Sequence, residues 1–442
     1  MPKQPRIGPL CTDLYELTMA AAYFQAHVID QATFSLLVRP SANRNFYVAA
    51  GLETALDELS SFGFTDEECV YLKQTNLFSD SFIEFLSTLH FRGDVMAMPE
   101  GAIFFGDEPI MEVTAPIIEA QLVETLLLNI LGSNSLFATK GARCIHVAQG
   151  RPLVDFALRR TQGHDAGLRV ARSTSITGFA GTSNVQAGSL FGIPVSGTMA
   201  HSYVTTFKNE IDAFRAYARV FPDDSVFLID TYDTVAGAKN AAIVGQEMKQ
   251  QGHMLKGVRL DSGDLVDLSS KVRAILDTAG LANTLILASG GLDEYEIEKL
   301  LKAGACVDAF GVGTAVGTSA DAPHLDIVYK LVRFSDRNIR KLSPGKQTLA
   351  GEKQVFRKLN EQGKMRADII GLRDEKFKDS RPLLSPVMRR GKIVNEHPTI
   401  RDIQDNFKSS FTALEDRYKS IHASHRFPVY LSDRLRQVQD QL

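Results

Sequence analysis

Val226-Phe-Leu-Ile-Asp-Thr-Tyr-Asp-Thr234 opens a stretch, residues 225–318, in which one short grammar is written four times. An apolar run closes on a polar or glycine-rich signature and passes into a helical segment. The other three units are Gly257-Val258 closed by Arg259-Leu-Asp-Ser-Gly-Asp264, Leu285–Ala288 closed by Ser289-Gly-Gly-Leu-Asp293, and Ala309-Phe310 closed by Gly311-Val-Gly-Thr314. Strand-length apolar runs alternating with helices indicate βαβ units around a parallel sheet. In a closed βα barrel the chemistry sits at the C-terminal strand ends, and all four signatures fall there. At any single strand exit, Gly, Asp and Ser are favoured by turn chemistry alone. Four aligned exits argue instead for a shared rim.

Upstream, Leu153-Val-Asp-Phe-Ala-Leu-Arg-Arg160 reads as a strand that delivers Arg159 and Arg160 at its end. Successive strand positions face opposite ways, so at most one of the two enters a central site. The planar guanidinium fork suits phosphate or carboxylate, with a surface salt bridge as the alternative. Gly178, Gly181, Thr182, Ser183 and Asn184 precede an Ala/Gly-rich helix and lead to Pro194-Val-Ser-Gly-Thr-Met-Ala-His-Ser202. His201 follows a strand and opens onto the same rim, with Ser196, Thr198 and Ser202 able to orient it or share a phosphate. There is no HExxH or HxH pair, which argues against a histidine metal site.

Gly-rich strand ends followed by a helix or tight turn present backbone N–H groups to an anion. Ser289-Gly290-Gly291 and Gly313-Thr314 stand at the last two strands, a recurrent phosphate position in βα barrels. Asp230, Asp233, Asp261 and Asp264 on the two preceding strands suit sugar hydroxyls or a divalent cation bridging to a diphosphate. A sugar diphosphate with Mg2+ satisfies both halves of the rim, with Asp261 and Asp264 as the expected metal ligands. No GxxxxGK[ST] loop is present, and Gly311–Gly317 fails the GxGxxG spacing.

The chain has 442 residues, which implies more than one domain and ample core. A net charge of -3 gives no reason to expect nucleic acid or membrane as a partner. The four cysteines, Cys11, Cys69, Cys144 and Cys306, form no CxxC pair, so a reducing compartment without structural metal is expected. With no apolar leader and no run of 18 apolar residues, a cytoplasmic protein is expected. Thr12–Phe24 reads as an amphipathic helix carrying Tyr15, and segments near 32–38, 100–115, 327–334 and 350–379 as β structure. Ser343-Pro-Gly-Lys346 reads as a turn with a basic tip. The expected class is α/β: an irregular TIM-like βα barrel over 126–324, an α+β domain from 1–125 plus 325–385, and a C-terminal helical extension at 386–442.

Thr12-Asp-Leu-Tyr-Glu-Leu-Thr-Met19, Phe156-Ala-Leu-Arg-Arg160, Gly181-Thr-Ser-Asn184, Gly197-Thr-Met-Ala-His-Ser202, Asp230-Thr-Tyr232, Gly257–Asp264, Gly311-Val-Gly-Thr314, Val328-Tyr-Lys-Leu331 and Lys341-Leu-Ser343 span nearly the whole chain. Taken together they resemble the barrel-type nicotinate phosphoribosyltransferases. The resemblance implies transfer of a phosphoribosyl group from 5-phosphoribosyl 1-diphosphate to nicotinate, giving nicotinate mononucleotide and diphosphate. It further implies coupled ATP hydrolysis through a phosphohistidine, which maps onto His201. Nicotinate contacts map onto Tyr15, Thr198 and Arg259, and a contact to the phosphoribosyl substrate maps onto Thr314. The family's site is shared between two subunits, so a homodimer is implied, with Tyr15 supplied by the neighbour. With the rim reading, the phosphoribosyl-diphosphate set becomes Thr314, Gly313, Gly290, Gly291, Asp261, Ser262, Asp230 and Arg160.

Ser289-Gly-Gly-Leu292 departs from the Ser-Asn-Asn-Ile of several members. Nicotinamide-using enzymes carry an aspartate after the corresponding Gly-Thr; Met199 stands here, and a carboxylate ligand is better served by Arg259. The rival readings are a nicotinamide or quinolinate phosphoribosyltransferase, and a sugar-phosphate binding protein with no catalytic role.

Overall fold

The computed structural model describes residues 6–343 and 348–442. Residues 344–347, which carry most of the basic turn expected at Ser343–Lys346, lie outside the described residues. The chain divides into two compact units, one over Lys140–Asp321 and one over Lys3–Thr139 with Ala322–Leu442.

The first unit holds six short strands: β1 (Leu153–Asp155), β2 (Gly181–Thr182), β3 (Val226–Leu228), β4 (Gly257–Leu260), β5 (Leu285–Ala288) and β6 (Ala309–Val312). They form one sheet in the order β2-β1-β6-β5-β4-β3, parallel throughout. A further parallel bridge, Thr182 with Val195, extends the ladder past β2. The ladder is open between Val195 and β3, which makes the barrel irregular. Its helices are α1 (Glu124–Val147, within this unit from Lys140), α2 (His164–Ile176), α3 (Val185–Phe191), α4 (His201–Thr205), α5 (Glu210–Val220), α6 (Thr234–Gln250), α7 (Leu265–Thr278), α8 (Glu294–Lys302) and α9 (Thr314–Gly317).

The strands form because their residues have somewhere apolar to go. Val258, Leu260, Ile286, Ala288, Phe310 and Val312 are fully buried. Phe214 of α5 stacks on Phe227 of β3 with ring centroids 4.7 Å apart. Burying each such ring contributes about 2–3 kcal/mol. Gly311 is required by a close approach, since a Cβ there would sit 2.3 Å from the Phe156 ring.

One expected strand is shorter than its apolar pattern suggests. β1 ends at Asp155, whose Oδ1 accepts from Ala157 N at 2.8 Å and turns the chain. Leu158–Arg160 is a single 3-10 turn, so Arg159 and Arg160 do not alternate as strand residues.

The second unit is built on a seven-stranded antiparallel sheet. Its order is Arg337–Asn338, Ile327–Phe334, Gln31–Val38, Pro109–Pro116, Asp94–Ala97, Ser385–Arg389 and Lys392–Ile393. Gln31–Val38 alternates between two central neighbours, and Phe34 stacks on Tyr329 at 4.6 Å. A four-stranded sheet follows, ordered Ser380–Pro382, Lys353–Leu359, Met365–Leu372 and Val429–Leu431. Residues 386–442 are therefore not a separate helical extension. Ser385–Arg389 pairs with Asp94–Ala97, and Val429–Leu431 pairs in parallel with Met365–Leu372. Both are short strands that cover a sheet edge, and such strands carry little periodicity of their own. The helical part, Ile400–Ala413, buries Ile403 and Phe407 as its spacing predicts.

Candidate active site

The polar signatures resolve into two kinds of aspartate. Asp233, Asp264 and Asp293 each stand one residue before a helix and cap it: Asp233 Oδ1 accepts from Ala236 N, Asp264 Oδ1 from Val266 N and Asp267 N, and Asp293 Oδ1 from Tyr295 N and Glu296 N. Each cap satisfies otherwise unpaired helix N–H groups. Asp230 and Asp261 stand earlier, at the strand tips. Asp230 Oδ2 accepts from Asp261 N at 2.9 Å and from Ser262 Oγ at 2.6 Å, while Asp261 Oδ1 accepts from Ser289 Oγ. Three adjacent strand ends, β3, β4 and β5, are thereby tied into one polar rim.

Arg259 lies within that rim. Its Nη1 donates to Thr198 Oγ1, and its Nη2 lies 3.9 Å from Asp261 Oδ1. Its side chain is mostly buried, and Nε has no partner. Burial and the nearby Arg159 charge push its pKa below the usual guanidinium range, opposed by Asp261 and Asp230. Guanidinium basicity is high enough that the group stays charged. Of the arginine pair, Arg159 is thus the one whose charge Arg259 feels; both side chains are exposed.

His201 begins α4 and is hydrogen-bonded through Nδ1 to Thr231 Oγ1 at 3.1 Å, beside Asp230 on the β3 exit. Thr198 and His201 thus connect one short loop to β4 and β3. Glu210, at the start of α5, is buried, with Oε2 accepting from Asn240 Nδ2 at 3.0 Å and Oε1 unpartnered. Burial, reinforced by Asp230 and Asp233, pushes its carboxyl above the usual range.

The glycines shape the neighbouring strand exits. Gly290 has φ +93°, and a Cβ there would lie 2.1 Å from Asp261 O, so the turn after β5 rests directly on the β4 tip. Gly291 has φ +70° and open space where its Cβ would be. α9 starts at Thr314 behind Gly313 with no side-chain cap. By the usual strand spacing, Thr314 sits about 10 Å along the rim from the β4 tip. α8, in contrast, is capped by the Asp293 side chain, which occupies the N–H groups of Tyr295 and Glu296.

For a divalent cation, Asp230 offers Oδ1, which is buried and unpartnered, beside Asp261. Hard carboxylate oxygens suit Mg2+. Asp264 has Oδ1 engaged in its cap, and among the described residues no three His, Cys, Asp or Glu side chains gather as a metal site. Donors from a bound diphosphate would have to complete any coordination.

The structure bonds Thr198 to Arg259, sets Arg259 3.9 Å from Asp261, and bonds Asp261 and Ser262 to Asp230; His201 bonds to Thr231, next to Asp230 in the chain, and Gly290, Gly291, Gly313 and Thr314 follow the neighbouring strands. Tyr15 belongs to the other unit, near the start of the helix Leu14–Gln25, and is 45 % exposed. Burial, together with the nearby Glu124 carboxylate, raises the pKa of its hydroxyl. Sequence reasoning missed Asp155, whose Oδ2 accepts from Thr182 Oγ1 at 2.6 Å and joins β1 to β2; burial raises its carboxyl pKa. A carboxylate inside the apolar run Leu153–Ala157 was the available signal. It passed over Glu210, and named Thr231 and Asn184 only as members of motifs without giving either a role. Asn184 caps α3 through Oδ1 and leaves Nδ2 buried without a partner.

Three family models match in succession: the nicotinate phosphoribosyltransferase N-terminal domain over residues 10–132, the nicotinate phosphoribosyltransferase family over 152–359, and its C-terminal domain over 376–439. Nicotinate phosphoribosyltransferase pncB2 of Mycobacterium tuberculosis is 43% identical over 432 residues, covering 97% of this chain and 92% of its own. The Bacillus subtilis nicotinate phosphoribosyltransferase is 39% identical, covering 96% of this chain and 93% of its own. The crystal structure of human nicotinic acid phosphoribosyltransferase superposes with a TM-score of 0.87 at 28% identity, covering 98% of this chain and 99% of that one. No helix among the described residues is long and apolar enough to cross a membrane.

Proposed function

The chain belongs to the nicotinate phosphoribosyltransferase family, and on that premise we propose that it forms nicotinate mononucleotide and diphosphate from nicotinate and 5-phosphoribosyl 1-diphosphate, as a step of NAD biosynthesis. The observation that carries the reading is the Arg259 guanidinium, mostly buried, bonded to Thr198 and left with an unpartnered Nε–H. A planar fork with a spare donor suits a carboxylate through charge-assisted bonds. A carboxamide offers no such charge, which favours nicotinate over nicotinamide.

In this reading Arg259 and Thr198 orient the pyridine, and the exposed Tyr15 of a second copy supplies a stacking face in a homodimer with shared sites. The pyridine nitrogen is unprotonated near neutral pH, so displacement at the anomeric carbon requires no general base. What the protein supplies is alignment and charge compensation for the leaving diphosphate. Asp230, Asp261 and Ser262 would hold the ribose hydroxyls, and the backbone around Gly290, Gly291, Gly313 and Thr314 would meet the phosphates, with Arg160 at the outer edge. Asp230 and Asp261 would also hold Mg2+, which, when bound with the diphosphate, neutralises part of its charge.

ATP hydrolysis would act through His201. With Nδ1 bonded to Thr231, Nε2 is the ring nitrogen left to accept a phosphoryl group. That group adds nearly two negative charges to the rim and redistributes its cationic contacts. Four cysteines that form no disulfide fit a cytoplasmic enzyme. Diphosphate release with nicotinate against nicotinamide, with and without ATP, tests the whole reading. Equal rates with the two pyridines would overturn the assignment of substrate.

A further inference from the structure

We propose that Lys140 and Arg143 are positioning residues that hold the two glycine-bearing turns of the diphosphate site at one spacing. The proposal rests on the phosphoribosyl-transfer reading above.

The two turns leave adjacent strands. The turn after β5 runs through Gly290 and Gly291 to Glu294, and the turn after β6 runs through Gly313 and α9 to Asp321. Glu294 and Asp321 both reach the same short stretch of α1. Lys140 Nζ lies 2.5 Å from Glu294 Oε2 and 2.7 Å from Asp321 Oδ1. Arg143 Nε lies 2.7 Å from Glu294 Oε1, and its Nη2 lies 3.8 Å from Asp321 Oδ2. Lys140 and Arg143 are three residues apart and so share a helix face. Each cation therefore touches both turns, and each turn touches both cations.

That cross-connection separates this cluster from an ordinary ion pair. If either turn moved relative to the other, bonds to both cations would lengthen at once. Near their strands the turns are held by different means: Gly290 rests on Asp261 O, and Gly313 lies against Phe156. Each turn is thus fixed at two points, one at the glycine beside its strand and one at the α1 cations. Arg143 also donates to Tyr295 Oη at 2.8 Å, which pins the first turn of α8.

The cations do not bind the ligand themselves. The Lys140 side chain is 0% exposed and that of Arg143 3% exposed, and their charges are met inside the cluster by Glu294 and Asp321, with Asp293 Oδ2 also 3.9 Å from Lys140 Nζ. Burying a charge set of this kind is a weak source of net stability, because desolvation offsets most of the attraction. What it specifies is geometry, and anion binding by backbone N–H groups is sensitive to geometry at the level of an ångström.

The test uses the full-length enzyme and two variants, Lys140→Met and Asp321→Asn. Asp321 is partly exposed, so its variant decides the matter if Lys140→Met does not fold. Two measurements are made on each: KM for 5-phosphoribosyl 1-diphosphate and for nicotinate, varied separately, and calorimetric binding of inorganic diphosphate without turnover. The proposal expects KM for the diphosphate substrate and Kd for diphosphate to rise about tenfold or more, with KM for nicotinate changed less than about twofold. Wild-type diphosphate affinity in a folded variant overturns it, as does an equal rise for both substrates, which marks general loosening. If the wild-type protein binds diphosphate but transfers nothing to nicotinate, the functional reading fails while the calorimetric arm still decides the positioning claim.

Discussion

Arg259 at the tip of β4 and Thr198 in the loop before α4 are hydrogen-bonded across 61 positions of sequence. That bond draws the His201 loop onto the barrel rim, because His201 lies three residues after Thr198 and bonds to Thr231 at the neighbouring β3 exit. A mostly buried guanidinium and an imidazole are thereby held on one frame.

Arg259→Lys keeps a positive charge and removes the fork. KM for nicotinate should rise about tenfold to a hundredfold, with KM for 5-phosphoribosyl 1-diphosphate nearly unchanged. Steady-state kinetics with each substrate varied would check it, and an unchanged nicotinate KM would remove Arg259 from the pyridine site.

His201→Ala should abolish ATP stimulation and the acid-labile incorporation of labelled phosphate from ATP, while leaving basal transfer. Full ATP coupling in this variant would end the phosphohistidine reading.

Gly290→Ala and Gly291→Ala form a contrasting pair. Both positions have positive φ, but a Cβ at Gly290 meets Asp261 O at 2.1 Å while one at Gly291 meets open space. Urea unfolding should show a loss above about 2 kcal/mol for the first and about 1 kcal/mol for the second. Equal losses would mean that the β5 turn does not rest on β4.

Glu210→Gln tests a pH dependence. The folded-state pKa of Glu210 is raised by burial, so its neutral form is the one the fold accommodates. Below the unfolded carboxyl value, near about 4.3, wild type and variant should differ little in this respect. As pH rises through the folded value, the wild type must ionise a buried group and loses stability that the amide retains. The Tm difference, variant minus wild type, should therefore grow from pH 4.5 to 7.5; a shrinking difference would contradict the sign.

Tyr15→Ala and Arg259→Ala test whether sites are shared between copies. Each variant alone should be nearly inactive. Mixed and allowed to exchange subunits, they should recover about a quarter of the wild-type rate, since half the dimers are mixed and each mixed dimer carries one intact site. No recovery after exchange would place Tyr15 in the site of its own chain.

The parallel barrel was legible before any coordinates because it is written locally. An apolar run, a polar exit and a helix recur in 225–318, and Leu285–Ala288 coincides with β5 residue for residue. The C-terminal segment was misread because Ser385–Arg389 and Val429–Leu431 become strands only by pairing with distant edges. Asp155 was passed over because an acid within an apolar run looks like noise until Thr182 is seen beside it.

By itself the sequence determined which residue types reach the strand exits, since hydrophobic periodicity and turn chemistry act over a few residues. It did not separate the aspartates: 230, 233, 261, 264 and 293 occupy similar contexts. Only the tertiary structure decided that 233, 264 and 293 cap helices while 230 and 261 bond across strands. Only it decided, too, that Lys140 and Arg143 meet Glu294 and Asp321. The reason is physical: capping is a contact within three residues, whereas a rim is made by strand register, which brings together groups that no local pattern can pair.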